Sequence, residues 1–389
     1  RRVKMMNSIK REIAAVFDEL ADALETGQFG RRVRVAVIGI GSEQGEANVM
    51  AGCVQAAARG IDIIYLGTRK HERVRTIELD CAEDAFDKME QLLASGEADA
   101  AVAMHYPFPI GVSTVGRTAT PATGKNIYLA TTTGTTSTDR VEALVMNAIA
   151  GIATAKADGI DSPSVGILNL DGARQAEIIL KTLRDNGYPV CFAASSRADG
   201  GAIMRGNDIL RASQDVLVLD SLTGNAVIKM LSSFTSGGSY ETVGAGYGPG
   251  VGEKMSGVVM IISRASGAPV IASAIEFAAS LIRGGLASVY AQELALARKA
   301  GLDSLLNERR GGSPPKPHAK EAAAPPSEVV TASIEGIDVL DLEEAVRLLW
   351  SRSIYAESGM GCTGPIIRVS AANKENARTV LREGGFIGG

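Results

Sequence analysis

The sequence predicts an α/β protein: an open, mainly parallel sheet with helices on both faces, in two lobes, followed by a C-terminal αβα extension. Three observations carry that prediction. Short runs rich in Val and Ile alternate with segments of helical periodicity. The runs are apolar throughout rather than at every second residue, as in strands buried on both faces. Three Gly-rich loops stand just past the ends of such runs, where open α/β sheets bind ligands.

In chain order, residues 8 to 26 (SIKREIAAVFDELADALET) space their apolar positions at 3.6 and stop at Gly27, which reads as an amphipathic helix. Eight runs then read as strands: VRVAVIGI, IDIIYLG, ADAAVAMH, NIYLATT, SVGILNL, YPVCFAAS, DVLVLD and SGVVMIIS. Most lead into a helical pattern such as RQAEIILKTLRDNG. At RRGGSPPKPHAKEAAAPPSEVV the periodicity gives way to Pro, Gly, Ala and charge, the composition of a linker or mobile loop. Beyond it VLDLEEAVRLLWS reads as a helix, IIRVSA as a strand, and NKENARTVLREGG as a helix ending in a Gly cap. Four regions result: an N-terminal helical segment (1–30), an α/β domain (31–308), a Pro/Ala-rich linker (309–330) and a C-terminal segment (331–389).

Composition narrows the function. With 389 residues, 46% of them hydrophobic, the chain can bury large cores. Its net charge of -4 and pI near 5.6 argue against nucleic acid and a basic membrane-binding face, and favour small ligands. No apolar run approaches a membrane span, and the basic start RRVKMMNSIKREI lacks the apolar core of a secretory signal, so a soluble cytoplasmic protein is expected. Cys53, Cys81, Cys191 and Cys362 follow no disulfide framework, and His71, His105 and His318 form no metal-ligand pair at helical spacing. Cys53 and Cys191 lie in apolar patterns and read as small buried hydrophobes; Cys81 reads as close to a helix start.

The first Gly-rich loop, VIGIGSEQGEAN, carries Gly39, Gly41 and Gly45 in a GxGxxxG pattern. It matches a dinucleotide site poorly, because Glu43 and Glu46 bring negative charge to the pyrophosphate position and Arg69 stands near the place of the ribose-binding acid. The second is sharper. A strand ends at Asp220, Thr223 and Gly224 make a turn, and Asn225 to Lys229 begin a helix, so that free amides, a hydroxyl and a lysine form an anion site; the alternative is an ordinary capped βα turn. The third, TTTGTTSTDR, offers Thr135 and Thr136 for phosphate or for packing. YGPGVGE is read as too Gly-rich for a regular element, shaping a pocket or a partner contact. Finally AESGMGCTGP, read as a loop, holds Cys362 between Gly361 and Thr363, with Gly359 and Gly364 beside them. Glycines let the backbone approach a bulky substrate and leave amides free for an oxyanion. His105, at the carboxyl end of ADAAVAMH, is the candidate base for the thiol.

The run GNDILRASQDVLVLDSLTGNAVIKM resembles a segment of PlsX, the phosphate acyltransferase of phospholipid synthesis, and VGILNL and SGVVMIISRASGAPVIASAIEFAASL resemble later PlsX segments. Ser221 and Leu222 replace the usual Gly-Phe, which puts a fatty acyl substrate in doubt. DALETGQFG, GSEQG, HYPFPIGVSTVGR, YGPGVGE and ESGMGCTGP are more similar to the PlsX-like alpha subunit of component C of glycine, sarcosine and betaine reductases. That resemblance implies a phosphotransacetylase-like fold and an acyl transfer that releases acetyl phosphate. Inorganic phosphate would be the co-substrate, with no cofactor or metal. It also implies a ketoacyl-synthase-like beta subunit and the small selenoprotein A as partners, and an oligomer. Two hypotheses follow: an enzyme subunit carrying the acyl group on Cys362, or a scaffold for the beta subunit.

Overall fold

The structure, a computed structural model, describes residues 32–196, 201–255, 257–309, 324–337, 342–361, 364–384 and 386–387, together with Phe17. The helix expected over 8–26 lies outside the described residues except for Phe17, as do 310–323 of the linker. Cys362 and Thr363 also lie outside them.

β1 (Arg34–Ile38), α1 (Gly45–Ala57), β2 (Asp62–Gly67), β3 (Arg75–Glu78), α2 (Ala82–Ala94) and β4 (Ala100–Ala103) build the first half of the main sheet. Next come β5 (Ser113–Ala119), β6 (Asn126–Ala130), α3 (Arg140–Ala157), β7 (Ser164–Leu168), α4 (Ala173–Asp185), β8 (Cys191–Phe192), β9 (Ile203–Met204), α5 (Gly206–Arg211), β10 (Val216–Val218) and α6 (Ser221–Ser232). β11 (Gly248–Val251), β12 (Val258–Ile261), α7 (Ala268–Arg283), α8 (Leu286–Lys299) and α9 (Leu302–Arg309) complete the domain. The strands run in the order β3-β2-β1-β4-β12-β11-β5-β6-β10-β7-β8, with β9 also on β7.

Local chemistry explains the helix starts. The Asp139 carboxylate accepts the Glu142 amide at 2.8 Å, and the Cys81 sulfur accepts the Asp84 amide at 3.5 Å, as a helix start requires. Alternate residues of one strand serve opposite faces: Val35 and Val37 join the core with α1 and α7, while Ala36 and Ile38 join the one under α2. Ile127, Leu129, Leu217 and Leu219 pack with Phe108, Val112, Ile228 and Leu231, which lays α6 and the 105–112 segment on the sheet.

The sheet is mainly parallel, but its centre is not. β11 is antiparallel to both β12 and β5, and β5 is antiparallel to β6. YGPGVGE therefore contributes a regular strand, contrary to the reading of it as too Gly-rich. Gly248 makes this possible: at φ 99° it leaves no room for a β-carbon, which would sit 1.9 Å from the Val115 carbonyl oxygen. The two halves of the sheet thus point their carboxyl ends toward opposite edges.

The C-terminal segment is also richer than αβα. β13 (Ala332–Glu335), α10 (Leu342–Ser351), β14 (Ala356–Gly361), β15 (Gly364–Val369) and α11 (Lys374–Glu383) form a βαββα unit, with its sheet in the order β13-β15-β14. AESGMG, expected as a loop, is strand β14, antiparallel to β15 from Ala356↔Val369 to Gly361↔Gly364. Cross-strand pairing satisfies the backbone that glycine composition alone left unassigned. Ile334, Leu342, Val346, Leu349, Ile367, Val369 and Leu381 give this unit a core of its own.

Of the cysteines, Cys53 is fully buried, and burial pushes its thiol up to about 12. Cys191, expected to be buried, is exposed, because β8 lies at the sheet edge and is only two residues long. Among the described residues no single helix is long and apolar enough to cross a membrane.

Candidate functional site

His105 follows β4 by two residues. Desolvation, and then the positive charge of Arg368, hold its imidazole below the usual histidine range, so the neutral form prevails at pH 7. Arg368 comes from β15. Its guanidinium lies 5.7 Å from the Tyr106 ring centroid and 5.9 Å from that of Phe86, and donates to the Val330 carbonyl at 2.9 Å. β14 lies against the same segment: a β-carbon on Gly359 would meet the carbonyl oxygens of Phe108 at 3.3 Å and Pro107 at 3.4 Å. Ser358 donates to Glu343 at 2.9 Å, and Glu343 faces Lys254 at 3.8 Å, which ties the C-terminal unit to the main domain. The strands that flank Cys362 in sequence are thus seated on the residues following His105.

Lys229 reaches the same edge of the sheet. Ile261 of β12 pairs with Ala103 of β4, and Ser263 and His105 each follow by two residues. The Lys229 ammonium donates to Ser263 Oγ at 2.8 Å and to Glu241 Oε1 at 2.8 Å. Glu241 is fully buried and also accepts from Tyr247 at 3.1 Å and Ser266 at 2.8 Å, so each carboxylate oxygen has a donor. Burial, then the Glu241 charge, push the Tyr247 phenol well above its ordinary value, leaving it a permanent donor.

The rest of the expected anion site stands at the opposite edge. Asp220 caps α6: its carboxylate accepts the Thr223 amide at 2.9 Å and the Thr223 hydroxyl at 3.0 Å. A carboxylate therefore occupies the helix N-terminus. Gly224 is buried against backbone, since a β-carbon there would lie 1.9 Å from the Thr131 carbonyl oxygen, while Asn225 is exposed. The Thr135 carbonyl accepts the Gly111 amide at 3.0 Å, and the Thr136 hydroxyl donates to Asn147 at 2.5 Å. The helix begins at Ser221 rather than at the expected Asn225, because Asp220 caps it. Thr223 and Gly224 therefore lie in its first turn beside Asp220 instead of forming a turn before it, and Lys229, in the last turn of α6, is separated from them. The reversal of the central strands is the cause: α6 begins where β10 ends and finishes where β12 ends.

Gly224→Ala is expected to cost about 3 kcal/mol, the upper range for overpacking, because the clash is with backbone that cannot rotate away. Thermal unfolding checks this. A melting temperature equal to wild type would mean that the contact relaxes freely.

At the first Gly-rich loop, Glu46 accepts from Tyr65 at 2.8 Å, from the Thr68 amide at 2.8 Å and from the Thr68 hydroxyl at 2.9 Å. Burial raises its pKa, but these donors outweigh it and leave the carboxyl below its usual range. A β-carbon on Gly39 would overlap the Tyr65 hydroxyl at 2.0 Å. Gly39 thus serves packing, whereas Gly41 and Gly45 are required by their positive φ of 98° and 77°, and the loop already holds an anion in Glu46. Glu241 and Ser263 escaped the sequence reading; Ser263 stands past a strand end as His105 does, so the same rule would have found it, whereas only the fold brings Glu241 to Lys229. Among the described residues no group of three or more His, Cys, Asp or Glu side chains could hold a metal ion.

A family model described as fatty acid synthesis protein matches residues 33–368. The glycine/sarcosine/betaine reductase complex component C subunit alpha of Peptoclostridium acidaminophilum is 50% identical over 384 residues, covering 98% of this chain and 100% of that protein. Among solved structures, a branched-chain phosphotransacylase from Enterococcus faecalis V583 aligns with a TM-score of 0.47 and 17% identity over 64% of this chain and 99% of that one. The EutD phosphotransacetylase from Staphylococcus aureus aligns with a TM-score of 0.43 and 14% identity over 69% and 98%.

Proposed function

Because this chain belongs to the fatty acid synthesis protein family, and within it to the component C alpha subunits of glycine/sarcosine/betaine reductase complexes, we propose that it performs the acyl transfer of such a complex. It holds an acetyl group as a thioester on Cys362 and releases it to inorganic phosphate as acetyl phosphate. The acyl group derives from a carboxymethyl group carried as a selenoether by the small selenoprotein A. A second thiol of the complex takes the selenium as a selenenyl sulfide, which supplies the two electrons that turn the methylene into a methyl, and hydroxide leaves as the thioester forms. A ketoacyl-synthase-like beta subunit completes component C.

The observation that carries this reading is the seating of β14 and β15, which flank Cys362 in sequence, on the residues after His105, at the edge where Lys229 meets Ser263. Neutral His105 can take the thiol proton, creating the thiolate that accepts the acyl group. In the second step a phosphate oxygen attacks the thioester carbonyl. The tetrahedral intermediate then collapses with cleavage of the C–S bond, so that the acetyl group leaves on phosphate and the thiolate returns on Cys362. Backbone amides at Gly361 and Gly364, with Thr363, are the proposed oxyanion donors. Phosphate is assigned to Lys229, beside Ser263, with exposed Asn225 one turn before it; Asp220, Thr223, Gly224, Thr135 and Thr136 border the opposite end of α6.

Two observations favour the scaffold reading. Asp220 already fills the helix N-terminus and Glu241 already neutralises Lys229. Exchange of labelled phosphate, or of arsenate, with acetyl phosphate decides between them. The purified chain alone should catalyse it; activity that appears only with the beta subunit, and survives loss of Cys362, would give the chemistry to the partner.

A further inference from the structure

Arg368 stands on β15, the central strand of the C-terminal sheet, between Ile367 and Val369. Those two side chains enter the core of the C-terminal unit, so Arg368 projects from the other face of the sheet, toward the main domain. It meets a row of rings there. Phe86 of α2 lies 5.7 Å from Tyr106, and Tyr106 lies 4.9 Å from buried Phe108. The guanidinium lies over the first two rings, and the residue is only 7% exposed. A charge taken that far out of water needs partners of opposite sign. Glu357, opposite Arg368 on β14, brings a carboxylate oxygen to 3.8 Å, and the Val330 carbonyl accepts at 2.9 Å. The main domain adds Glu90, one turn after Phe86 on α2. Burial, then the Glu90 charge, raise the Tyr106 phenol well above its ordinary value, and the Arg368 charge opposes them. One side chain therefore joins rings and acids of both units.

We propose that Arg368 is the positioning residue that locks β14 and β15, which flank Cys362 in sequence, against the residues after His105. The inference rests on the proposed function for the reaction at Cys362, and adds the side chain on which its geometry depends. The C-terminal unit has a core of its own, so that core does not fix where the unit sits on the main domain. Contacts across the seam do. The Lys254–Glu343 pair is half exposed, and such pairs hold little. Gly359 permits close approach to the Pro107 and Phe108 carbonyls but brings no side chain to hold it. Arg368 supplies the hold: its flat guanidinium stacks on rings while its edge donates, a combination that a lysine ammonium lacks. It acts by placement, and a displacement of about 1 Å can cost about 100-fold in rate. The ionisable groups around it are Glu90, Tyr106 and Glu357, and its charge, after desolvation, holds the His105 imidazole low.

The test compares the full chain with Arg368→Met and Arg368→Lys. Three quantities are measured: the rate at which acetyl phosphate acetylates Cys362, the KM for phosphate in exchange, and the titration of the His105 imidazole by NMR, assigned by its loss in His105→Gln. Both variants should fold, because the C-terminal core lies on the other face of its sheet. Arg368→Met should slow acetylation about 100-fold and leave the phosphate KM unchanged, since Lys229 belongs to the main domain. It should also raise the His105 titration, because loss of a nearby cation favours the imidazolium. Arg368→Lys keeps the charge and loses the fork, so it should restore the titration and recover only part of the rate. A methionine variant that is less stable but acetylates Cys362 and titrates His105 as wild type does would make Arg368 merely structural and overturn the inference. Equal recovery of rate by lysine would overturn the need for the fork, and with it the lock. A wild-type chain that takes no acetyl group on Cys362 overturns the proposed function and the positioning role with it, whereas an acetylated wild type beside an unaffected methionine variant overturns the role of Arg368 alone.

Discussion

Cys362→Ser is expected to fold normally and to lose acetyl phosphate turnover by a factor on the order of 10⁴ or more, the scale seen when a covalent nucleophile is removed. A serine hydroxyl is scarcely ionised at neutral pH, and the ester it forms resists phosphate more than a thioester does. Incubation of the wild-type chain with acetyl phosphate, then digestion at mildly acidic pH, should place one acetyl group on the peptide containing ESGMGCTGP. The other cysteines supply internal controls of different kinds. Cys53 is buried with its pKa raised to about 12, whereas Cys191 is exposed. Indiscriminate thiol acetylation would mark Cys191, so labelling of Cys362 without Cys191 identifies a specific site. Acetyl on Cys191, or full turnover by the serine variant, would make the hairpin structural and favour the scaffold.

Lys229→Ala is expected to raise the phosphate requirement about 10- to 100-fold, since losing a hydrogen bond to a charged group costs roughly 1.5–3 kcal/mol. Thioester formation on Cys362 should change far less, because the lysine is assigned to the second step. The same substitution removes a cation from fully buried Glu241, which keeps only Tyr247 and Ser266 as donors. A loss of about 1–3 kcal/mol of stability is expected, moderated because the Lys229 side chain is 46% exposed and water can replace part of it. Phosphate-dependence curves and denaturant melts separate the two effects. An unchanged phosphate dependence with lowered stability would mean that Lys229 is structural, and would move the phosphate site to the threonine loop.

Part of this molecule was legible in its sequence because the determining physics is local. Runs such as VRVAVIGI and DVLVLD have no polar face to offer water, so burial in a sheet between helices follows from composition alone. Cys81 reads as close to a helix start, and the structure uses it as the cap of α2; Asp220 reads as the end of a strand, yet it caps a helix that begins at Ser221. The family resemblance rested on contiguous runs for the same reason, and residues 33–368 match the family model.

Glycine-rich segments were misread because glycine restricts nothing. GPGV and AESGMG became strands β11 and β14 only through partners distant in the chain, Ser113, Thr114, Met260 and Ile261 for one and β15 for the other. Cys191 reads as a core residue, yet it is exposed because β8 falls at the sheet edge, and strand order is not written in any single strand. Composition and periodicity specified the long apolar strands, their alternation with helices and the residue types present at Cys362, His105 and Lys229. Tertiary structure alone decided which of them share an edge: reversal of the central strands sends carboxyl ends both ways, α6 carries Lys229 across to Ser263, and buried Glu241 meets it there. Strand direction is set by pairing over long sequence separations, a cooperative property that no short window of residues contains.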